Sequence, residues 1–290
     1  MRSISFLVSL SFIIADSKKP AASTCSKDKS PDQSVDTDVW KWDLDKKHRC
    51  NIRRMSITSL YSKFKGGLPP LHHEPIILYH EGSEKTSMGC NSRKFQELTA
   101  MSEITNALPK NFDVTLTSSN SFSAHRRVIP LVQYLNETMS FETFPAQLSN
   151  ETWYLFGETY SEEWKKLLNL YCLPPCQTCT RDLSALAFGI GGRGSGVQWH
   201  IHGPGFSQAL HGRKHWVLYP PEKKPNYDPD YTSRHWMEQV YTSLKDEDLP
   251  WECTLNPGDM IYFPDHWYHA TLNLDHYTAF VSSFTTEHNF

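Results

Sequence analysis

The second half of the chain consists of short runs of strand-forming residues separated by turns that glycine and proline mark, and this pattern constrains the fold more than any other feature. Most of the runs have no helical segment between them; the exception is 233–244, which has helical spacing. Short strands in series close their edges by forming a barrel or two facing sheets. The sequence therefore predicts a jelly-roll β domain over 153–290 with a helical insertion near 233–244. The seven runs are 185–188, 197–202, 215–219, 252–255, 260–263, 269–274 and 278–284.

The preceding region, 46–152, combines helical and strand patterns. Apolar residues recur at helical spacing in some segments, and Pro130 is suited to the first turn of a helix. We therefore expect a mostly β protein of the α+β class, in which this region flanks and extends the β domain. The patterns predict helices at 56–64, 95–108 and 130–136, and strands at 75–79 and 112–117.

The first 15 residues have the pattern of a secretory signal peptide. Arg2 precedes a mostly apolar run from Ile4 to Ala15, which is shorter than the roughly 20 residues that span a bilayer. A buried first strand or an uncleaved anchor is the alternative interpretation. Residues 16–45 are rich in Lys, Asp, Ser and Pro, which predicts a flexible leader. We expect cleavage near Ala15, which would leave a mature protein that does not span a membrane.

Two further features agree with a lumenal or secreted protein. The sequons at Asn136 and Asn150 are candidate glycosylation sites. The seven cysteines would be tolerated as disulfides in an oxidising lumen, and their odd number leaves at least one thiol unpaired or bound between chains. Their connectivity stays open. No βαβ pattern surrounds the Cys-x-x-Cys at 176–179, so we predict a structural disulfide in this loop rather than a redox pair. The cysteines are at positions 25, 50, 90, 172, 176, 179 and 253.

The charge balance argues against a nucleic-acid partner. The chain has 29 Lys and Arg against 32 Asp and Glu, which gives a formal net charge of −3. Proteins that bind nucleic acid carry a basic surface that neutralises backbone phosphates. We therefore expect no nucleic-acid ligand.

Three histidines form a candidate metal site. His200 and His202 are two residues apart in a predicted strand, so their side chains point to the same face, about 6.6 Å apart. His269 is distant in sequence, but a residue on a later strand of a small barrel can face the first pair. On spacing alone, a metal site and solvated or core-packed histidines are equally good interpretations. The neighbouring histidines that we expect to be surface or packing residues are His211, His215 and His266.

The phrases around these histidines resemble the JmjC family of cupin-type barrels. They are Trp-His-x-His-Gly-Pro-Gly at 199–205, Gly-Arg-Lys at 212–214, and Pro-Gly-Asp at 257–259 followed by Trp-Tyr-His at 267–269. The likeness spans roughly residue 153 to the C-terminus. It implies a double-stranded β-helix with a site for Fe(II) and 2-oxoglutarate. In that site His200 would be the first metal ligand, His269 the last, and Lys214 the partner of the distal carboxylate of 2-oxoglutarate.

The sequence departs from the family pattern at two positions. His202 stands where the family has an aspartate or glutamate ligand, which removes a hard, anionic oxygen donor that favours Fe(II). Three histidines are nonetheless a legitimate metal set, so His202 stays a predicted ligand. Val197 stands where related enzymes often place a hydroxyl that binds the cosubstrate. Ser195 shares the strand parity of Val197, and Asn273 shares that of His269; Asn273 is equally well interpreted as a satisfied core amide.

These features support two functions. The first is an Fe(II)- and 2-oxoglutarate-dependent oxygenase that hydroxylates a lumenal protein. The second is a lumenal protein-binding regulatory factor that keeps the fold but has lost turnover. A three-histidine zinc hydrolase is disfavoured because no general-base carboxylate lies at a suitable spacing, and histone demethylation disagrees with the compartment. Together with the signal peptide, the resemblance implies the endoplasmic reticulum lumen, with secretion as the alternative.

Overall fold

The computed structural model of the protein describes residues 42–69, 72–81, 92–123, 125–139, 152–157 and 159–285. The predicted signal peptide, most of the predicted leader and the sequon residue Asn150 lie outside these ranges. Within them, no helix has both the length and the apolar character needed to cross a membrane.

The described residues form twelve strands and six short α-helices. The strands are β1 (Arg53–Ser56), β2 (Ile76–Tyr79), β3 (Asp113–Ser118), β4 (Arg126–Pro130), β5 (Trp153–Phe156), β6 (Ser184–Gly191), β7 (Gly205–His211), β8 (Lys214–Tyr219), β9 (Trp251–Leu255), β10 (Met260–Phe263), β11 (Tyr268–Asn273) and β12 (Thr278–Thr285). The helices are α1 (Ile57–Lys63), α2 (Ser92–Leu98), α3 (Ile104–Ala107), α4 (Leu131–Gln133), α5 (Glu162–Leu168) and α6 (Ser233–Gln239). A π-helical turn (Tyr134–Thr138) follows α4, and two 3₁₀ turns (Tyr241–Ser243 and Asp246–Asp248) follow α6.

The strands form two sheets in a jelly-roll arrangement. The larger sheet has the order β1-β2-β10-β7-β12-β6-β5-β3-β4, and the smaller sheet has the order β11-β8-β9. The segment between β6 and β7 runs beside β11, where His200 and His269 form an isolated antiparallel bridge. This segment lies at the free edge of the smaller sheet, opposite β6, β12, β7 and β10. The prediction of a mostly β jelly roll with flanking helices is confirmed.

Strands that precede β6 in sequence extend both edges of the larger sheet. β1 and β2 add to the edge at β10, and β5, β3 and β4 add to the edge at β6. Helices α2 to α5 bury apolar side chains such as Phe95 and Trp164 against Phe188 of β6 and Val281 of β12. One face of the larger sheet is thus closed by helices, which leaves its opposite face to the interior of the jelly roll.

The predicted strand 197–202 is irregular. His200 and His269 exchange both backbone hydrogen bonds, with N···O distances of 3.1 and 3.0 Å. Next to this bridge, the side chain of Gln198 accepts from the backbone N–H of Trp199 and donates to Thr232 O. Side-chain hydrogen bonds of this kind compete with a regular ladder. The segment is therefore held beside β11 without forming a continuous strand.

Strand β7 was not among the predicted runs. It begins at Gly205 and includes the polar residues Ser207 and Gln208, so it lacks the alternation of a half-exposed strand. It lies between β10 and β12 and is buried along most of its length. A strand inside a sheet that is covered on both faces has no reason to alternate.

The predicted helix 95–108 is divided in two. α2 ends at Leu98, and α3 begins at Ile104. The Thr99 hydroxyl donates to the carbonyl oxygen of Phe95 at 2.9 Å, a back-bond that bends or ends helices. The predicted insertion 233–244 agrees with α6, which begins after Thr232, whose hydroxyl accepts from the N–H of His235.

A second apolar cluster covers the outer face of the smaller sheet. Trp42 and Leu44, which are 5% exposed, pack with Trp199, Val217 of β8 and Trp236 of α6. Trp42 and Leu44 fall at the end of the predicted leader 16–45, so the last residues of that segment belong to the packed structure.

Two disulfides connect described residues. Cys50–Cys253 joins the arm before β1 to β9, across 203 positions of sequence. Cys176–Cys179 closes the loop in which a structural disulfide was predicted. Cys172 is also disulfide-bonded.

Candidate metal centre

The three predicted histidines converge in the described structure. One ring nitrogen from each of His200, His202 and His269 lies within 4.8 Å of the other two. The ring centroids are 4.2 Å apart for His200 and His269, and 4.7 Å apart for His202 and His269. Within the described ranges, this is the only group of three or more His, Cys, Asp or Glu side chains with metal-binding spacing.

The outer nitrogen of each ring is oriented by the main chain. Nδ1 lies 2.8 Å from Gln198 O in His200, 2.7 Å from Gly203 O in His202, and 2.9 Å from Trp267 O in His269. A carbonyl oxygen only accepts hydrogen bonds, so each Nδ1 carries the proton. Metal-binding histidines are oriented in this way, and the arrangement leaves Nε2 as the ligand nitrogen.

The distance between two of these ligand nitrogens is typical of a metal site. Nε2 of His202 and Nε2 of His269 are 3.2 Å apart. Two tetrahedral nitrogen ligands with bonds of about 2.0–2.1 Å to a metal are about 3.3 Å apart. Two lone pairs at this distance repel each other unless a cation lies between them. A divalent metal ion therefore fits the donor set.

Burial keeps the three imidazoles neutral. Desolvation, followed by the neighbouring His202, lowers the pKa of His200 to about 3. Desolvation also holds the pKa of His269 well below its usual value and lowers the pKa of His202. Neutral imidazole is the form that binds a metal, so the site needs no deprotonation at physiological pH.

Aromatic side chains surround the triad. The ring centroid of Phe263 lies 4.8 Å from that of His269, and Phe284 lies 5.0 Å from His202. Trp216 stacks on both Phe263 and His269. Its indole N–H is buried and has no hydrogen-bond partner among the described residues. The surroundings of the triad are therefore largely apolar.

Lys214 occupies the inner face of the same small sheet. It pairs across β8 and β11 with Asn273, and its side chain is almost fully buried. Its ammonium donates to Asn273 Oδ1 at 3.0 Å and lies 3.9 Å from the ring centroid of Phe280. No carboxylate among the described residues forms an ion pair with it. Burial lowers the pKa of Lys214 to about 7. A buried cation without an anion is a suitable seat for a carboxylate ligand.

The structure brings two further candidates to Lys214. Ser195 and Asn273 are both buried, and Asn273 Nδ2 donates to Ser195 Oγ at 2.9 Å. Val197, which stands where related enzymes often place a hydroxyl, has none. Its backbone N–H donates to Thr271 Oγ1 at 3.2 Å. A polar network therefore lies near Lys214, and its hydroxyl comes from Ser195 and not from residue 197.

The other residues that the sequence analysis named are not members of the triad. His215 is on the opposite face of β8, with Nε2 3.3 Å from Glu252 Oε2. His211 contacts Thr99 on α2's C-terminal side, and the backbone N–H of His266 donates to His202 O. Asn136 is exposed on the π-helical turn, and its glycosylation stays a prediction.

Sequence reasoning missed the contribution of Phe280 and of two glycines on β6. A Cβ at Gly189 would lie 2.3 Å from the Phe280 ring, and one at Gly191 would lie 2.1 Å from Asn273 Nδ2. Glycine inside a strand often marks a close approach of another group. The Gly-x-Gly spacing directly after the predicted run 185–188 was thus an available signal.

Comparison with known proteins identifies the family of this chain. A family model described as a cupin-like domain matches residues 90–288. JmjC domain-containing protein 8 of Mus musculus is 39% identical over 237 residues, which are 81% of this chain and 82% of the relative. The Homo sapiens protein of the same name is 42% identical over 171 residues, 59% of this chain and 64% of the relative. The 2-oxoglutarate and iron-dependent oxygenase JMJD4 of Mus musculus is 31% identical over 72 residues, 22% of this chain and 17% of the relative. The chain therefore belongs to the JmjC family of cupin-like domains.

Proposed function

We propose that this protein is an Fe(II)- and 2-oxoglutarate-dependent oxygenase that hydroxylates a protein in the endoplasmic reticulum lumen. One observation supports this function most strongly. Three neutral imidazoles converge at one end of the inner face of β11. The ammonium of Lys214, which pairs with no carboxylate in the described ranges, lies against the other end. A metal-bound 2-oxo acid with a second carboxylate has the matching chemistry, since it carries a chelating end and an anionic end.

Each group has a defined role in this proposal. When bound, iron and 2-oxoglutarate supply an oxidant derived from dioxygen. His200, His202 and His269 would hold the metal, and Lys214 would bind the distal carboxylate. Phe263, Phe284 and Trp216 exclude water from the centre, which strengthens every electrostatic interaction inside it.

The compartment is part of the proposal. The protein has the disulfides Cys50–Cys253 and Cys176–Cys179. Disulfides as a class form and persist in oxidising compartments and are rare in the cytosol, which supports a lumenal location. The signal-peptide pattern of residues 1–15 agrees with that location. The proposed substrate is accordingly a lumenal protein rather than a histone.

One observation favours a second candidate function. His202 supplies a neutral nitrogen where the family has a carboxylate, and such a donor set favours later divalent metals over Fe(II). A protein with this centre would keep a metal-stabilised fold without turnover and act as a protein-binding regulatory factor.

The two functions are separated by metal analysis combined with cosubstrate turnover. Protein purified from the lumen of producing cells is analysed for bound metal, then supplied with Fe(II), ascorbate and 2-oxoglutarate, and succinate release is measured. The oxygenase predicts metal-dependent succinate release that Lys214→Ala abolishes. The exposed variant Lys223→Ala is the matched control and should retain the activity. A protein that binds zinc, takes up no iron and releases no succinate would exclude the oxygenase and favour the regulatory factor.

A further inference from the structure

The contacts of Lys214 are arranged in a chain whose direction is determined. Ser195 Oγ lies 2.6 Å from the carbonyl oxygen of Gly192, which only accepts, so the single hydroxyl proton of Ser195 points to that oxygen. Ser195 Oγ must then accept its second hydrogen bond, and the atom of Asn273 that faces it at 2.9 Å is the amide nitrogen. Asn273 Oδ1 is thereby turned towards the ammonium of Lys214, at 3.0 Å.

The main chain holds this amide in place. The N–H of Asn273 donates to Ser195 O at 2.7 Å, and its carbonyl oxygen accepts from the N–H of Gly194 at 2.8 Å. Gly191 leaves room for the amide, because a Cβ there would lie 2.1 Å from Asn273 Nδ2 and 2.5 Å from Ser195 Oγ. Asn273 has no exposed surface. The orientation of the side chain is therefore set on every side.

Both contacts of the ammonium are electrically neutral. Asn273 offers a carbonyl dipole, and Phe280 offers the negative face of its ring at 3.9 Å. Gly189 permits the ring to lie there, since a Cβ at that position would lie 2.3 Å from it. These two contacts orient the lysine, but neither cancels its charge. Two glycines on one face of β6 thus admit the two groups that hold Lys214.

We propose that Asn273, oriented by Ser195, is a positioning residue that holds the Lys214 ammonium in the interior without neutralising it, so that the charge remains available to a carboxylate ligand. This inference rests on the proposed function, because it explains how the seat for the distal carboxylate of 2-oxoglutarate is prepared. The neutrality of residue 273 is thus the property on which binding of the carboxylate ligand depends. An aspartate at position 273 would have the same shape, and its carboxylate would pair with the Lys214 ammonium in place of the ligand.

The decisive variant is Asn273→Asp, which keeps the volume of the side chain and adds one negative charge against Lys214. Binding of 2-oxoglutarate to metal-loaded protein is measured by calorimetry, and Tm is measured without ligand. We expect affinity to fall roughly 10- to 100-fold, because a charge-assisted contact to the ligand is lost. Tm should stay constant or rise, because the buried ammonium gains a partner. The exposed variant Asn226→Asp adds the same charge elsewhere and should change affinity less than about twofold.

Two results would overturn the inference. Unchanged affinity in Asn273→Asp would mean that the neutrality of this residue is irrelevant. A fall in both Tm and affinity would assign Asn273 a structural role alone, since a positioning role separates the two quantities. Ser195→Ala releases the amide and should lower affinity less than Asn273→Asp does; an unchanged affinity would remove Ser195 from the proposal.

A double-mutant cycle tests the inference even if the proposed function fails. In that case the wild-type protein binds no 2-oxoglutarate. Asn273→Asp should still raise or maintain Tm when Lys214 is present and lower it in the Lys214→Met background, where the new carboxylate is buried alone. Equal shifts of Tm in the two backgrounds would refute the contact between residue 273 and the ammonium.

Discussion

Lys214 and His215 are neighbours on β8, and they show two ways in which one strand buries an ionisable side chain. His215 faces outwards beneath the second apolar cluster, with Glu252 Oε2 3.3 Å from its Nε2. Tyr241 donates to both oxygens of that carboxylate at 2.9 Å, and Arg49 lies 3.7 Å from it. Lys214 faces inwards and contacts an amide and an aromatic ring instead. The outer imidazole lies beside a carboxylate, whereas no carboxylate among the described residues contacts the inner ammonium.

This difference links the outer face of the smaller sheet to stability and the inner face to the proposed ligand binding. A buried charge whose partners are all present contributes to the folded structure, and removal of one partner is costly. A buried charge without a partner lowers stability and persists where a ligand completes it. The comparison therefore favours a structural role for the outer cluster and the proposed binding role for the inner lysine, and four measurements test it.

The largest effect is expected at the outer face. Glu252→Gln should lower the free energy of unfolding by about 2–3 kcal/mol, because it weakens the buried hydrogen bonding with Tyr241 and removes the negative charge beside Arg49. Urea denaturation measures the change. Asp248→Asn is the matched control: its ion pair with Lys223 is exposed, so a loss below about 1 kcal/mol is expected. A comparably small loss in Glu252→Gln would contradict the structural role of the outer cluster.

The second effect concerns the metal end of the inner face. His202→Asp restores the two-histidine, one-carboxylate donor set, so the affinity for Fe(II) should rise at least about tenfold, which corresponds to about 1.4 kcal/mol. Anaerobic competition against a chelating dye measures the affinities for Fe(II) and Zn²⁺. His211→Asp introduces the same residue outside the triad and should leave them unchanged. Unaltered metal preference in His202→Asp would show that residue 202 does not bind the metal.

The third measurement titrates the inner lysine. Burial lowers the pKa of Lys214 to about 7, so its ammonium loses the proton as the pH rises through that value. Affinity for 2-oxoglutarate should be greatest below pH 7 and fall by up to about tenfold per pH unit above it, because the ligand requires the charged form. Calorimetry between pH 6.5 and 8.5 measures this dependence. Lys214→Arg stays charged and should show a flat profile; a flat profile in the wild type would argue against Lys214 as the anchor.

The smallest effect is a gain in stability. Lys214→Met replaces a buried cation by an apolar side chain of similar length, and we expect the free energy of unfolding to rise by about 1 kcal/mol at pH 7. Thermal and urea denaturation measure it. Lys223→Met removes an exposed lysine and should have little effect. Destabilisation by Lys214→Met would mean that the lysine contributes to the fold, and the contrast between the two faces of β8 would disappear.

Much of the barrel was predictable because its strands are short, apolar and bounded by turn residues. Strands β8 to β12 agree with the predicted runs to within one or two residues. The exceptions depend on context that local pattern does not contain. β7 lacks alternation because it lies inside the sheet and both of its faces are covered. The segment 197–202 is irregular because the Gln198 side chain takes part in its hydrogen bonds.

The candidate site was predictable in its members but not in its geometry. The period of two placed His200 and His202 on one face, and the family motifs added His269 and Lys214. Ser195 and Asn273 were only candidates, because parity indicates a face and not a partner. The roles of Gly189, Gly191 and Phe280 depend on contacts of β6 with β12 and with β11, strands that are distant in sequence and that no local window includes.

Residue identity, spacing and side-chain period were sufficient to predict the fold class, the histidine pair and the departure at His202. Packing of distant strands was needed to place the Nε2 atoms of His202 and His269 3.2 Å apart, and to bury Lys214 without an anion among the described residues while His215 beside it has Glu252. Convergence of residues from distant strands, and the presence or absence of a counter-charge, are properties of packing. They arise when the two sheets close on each other.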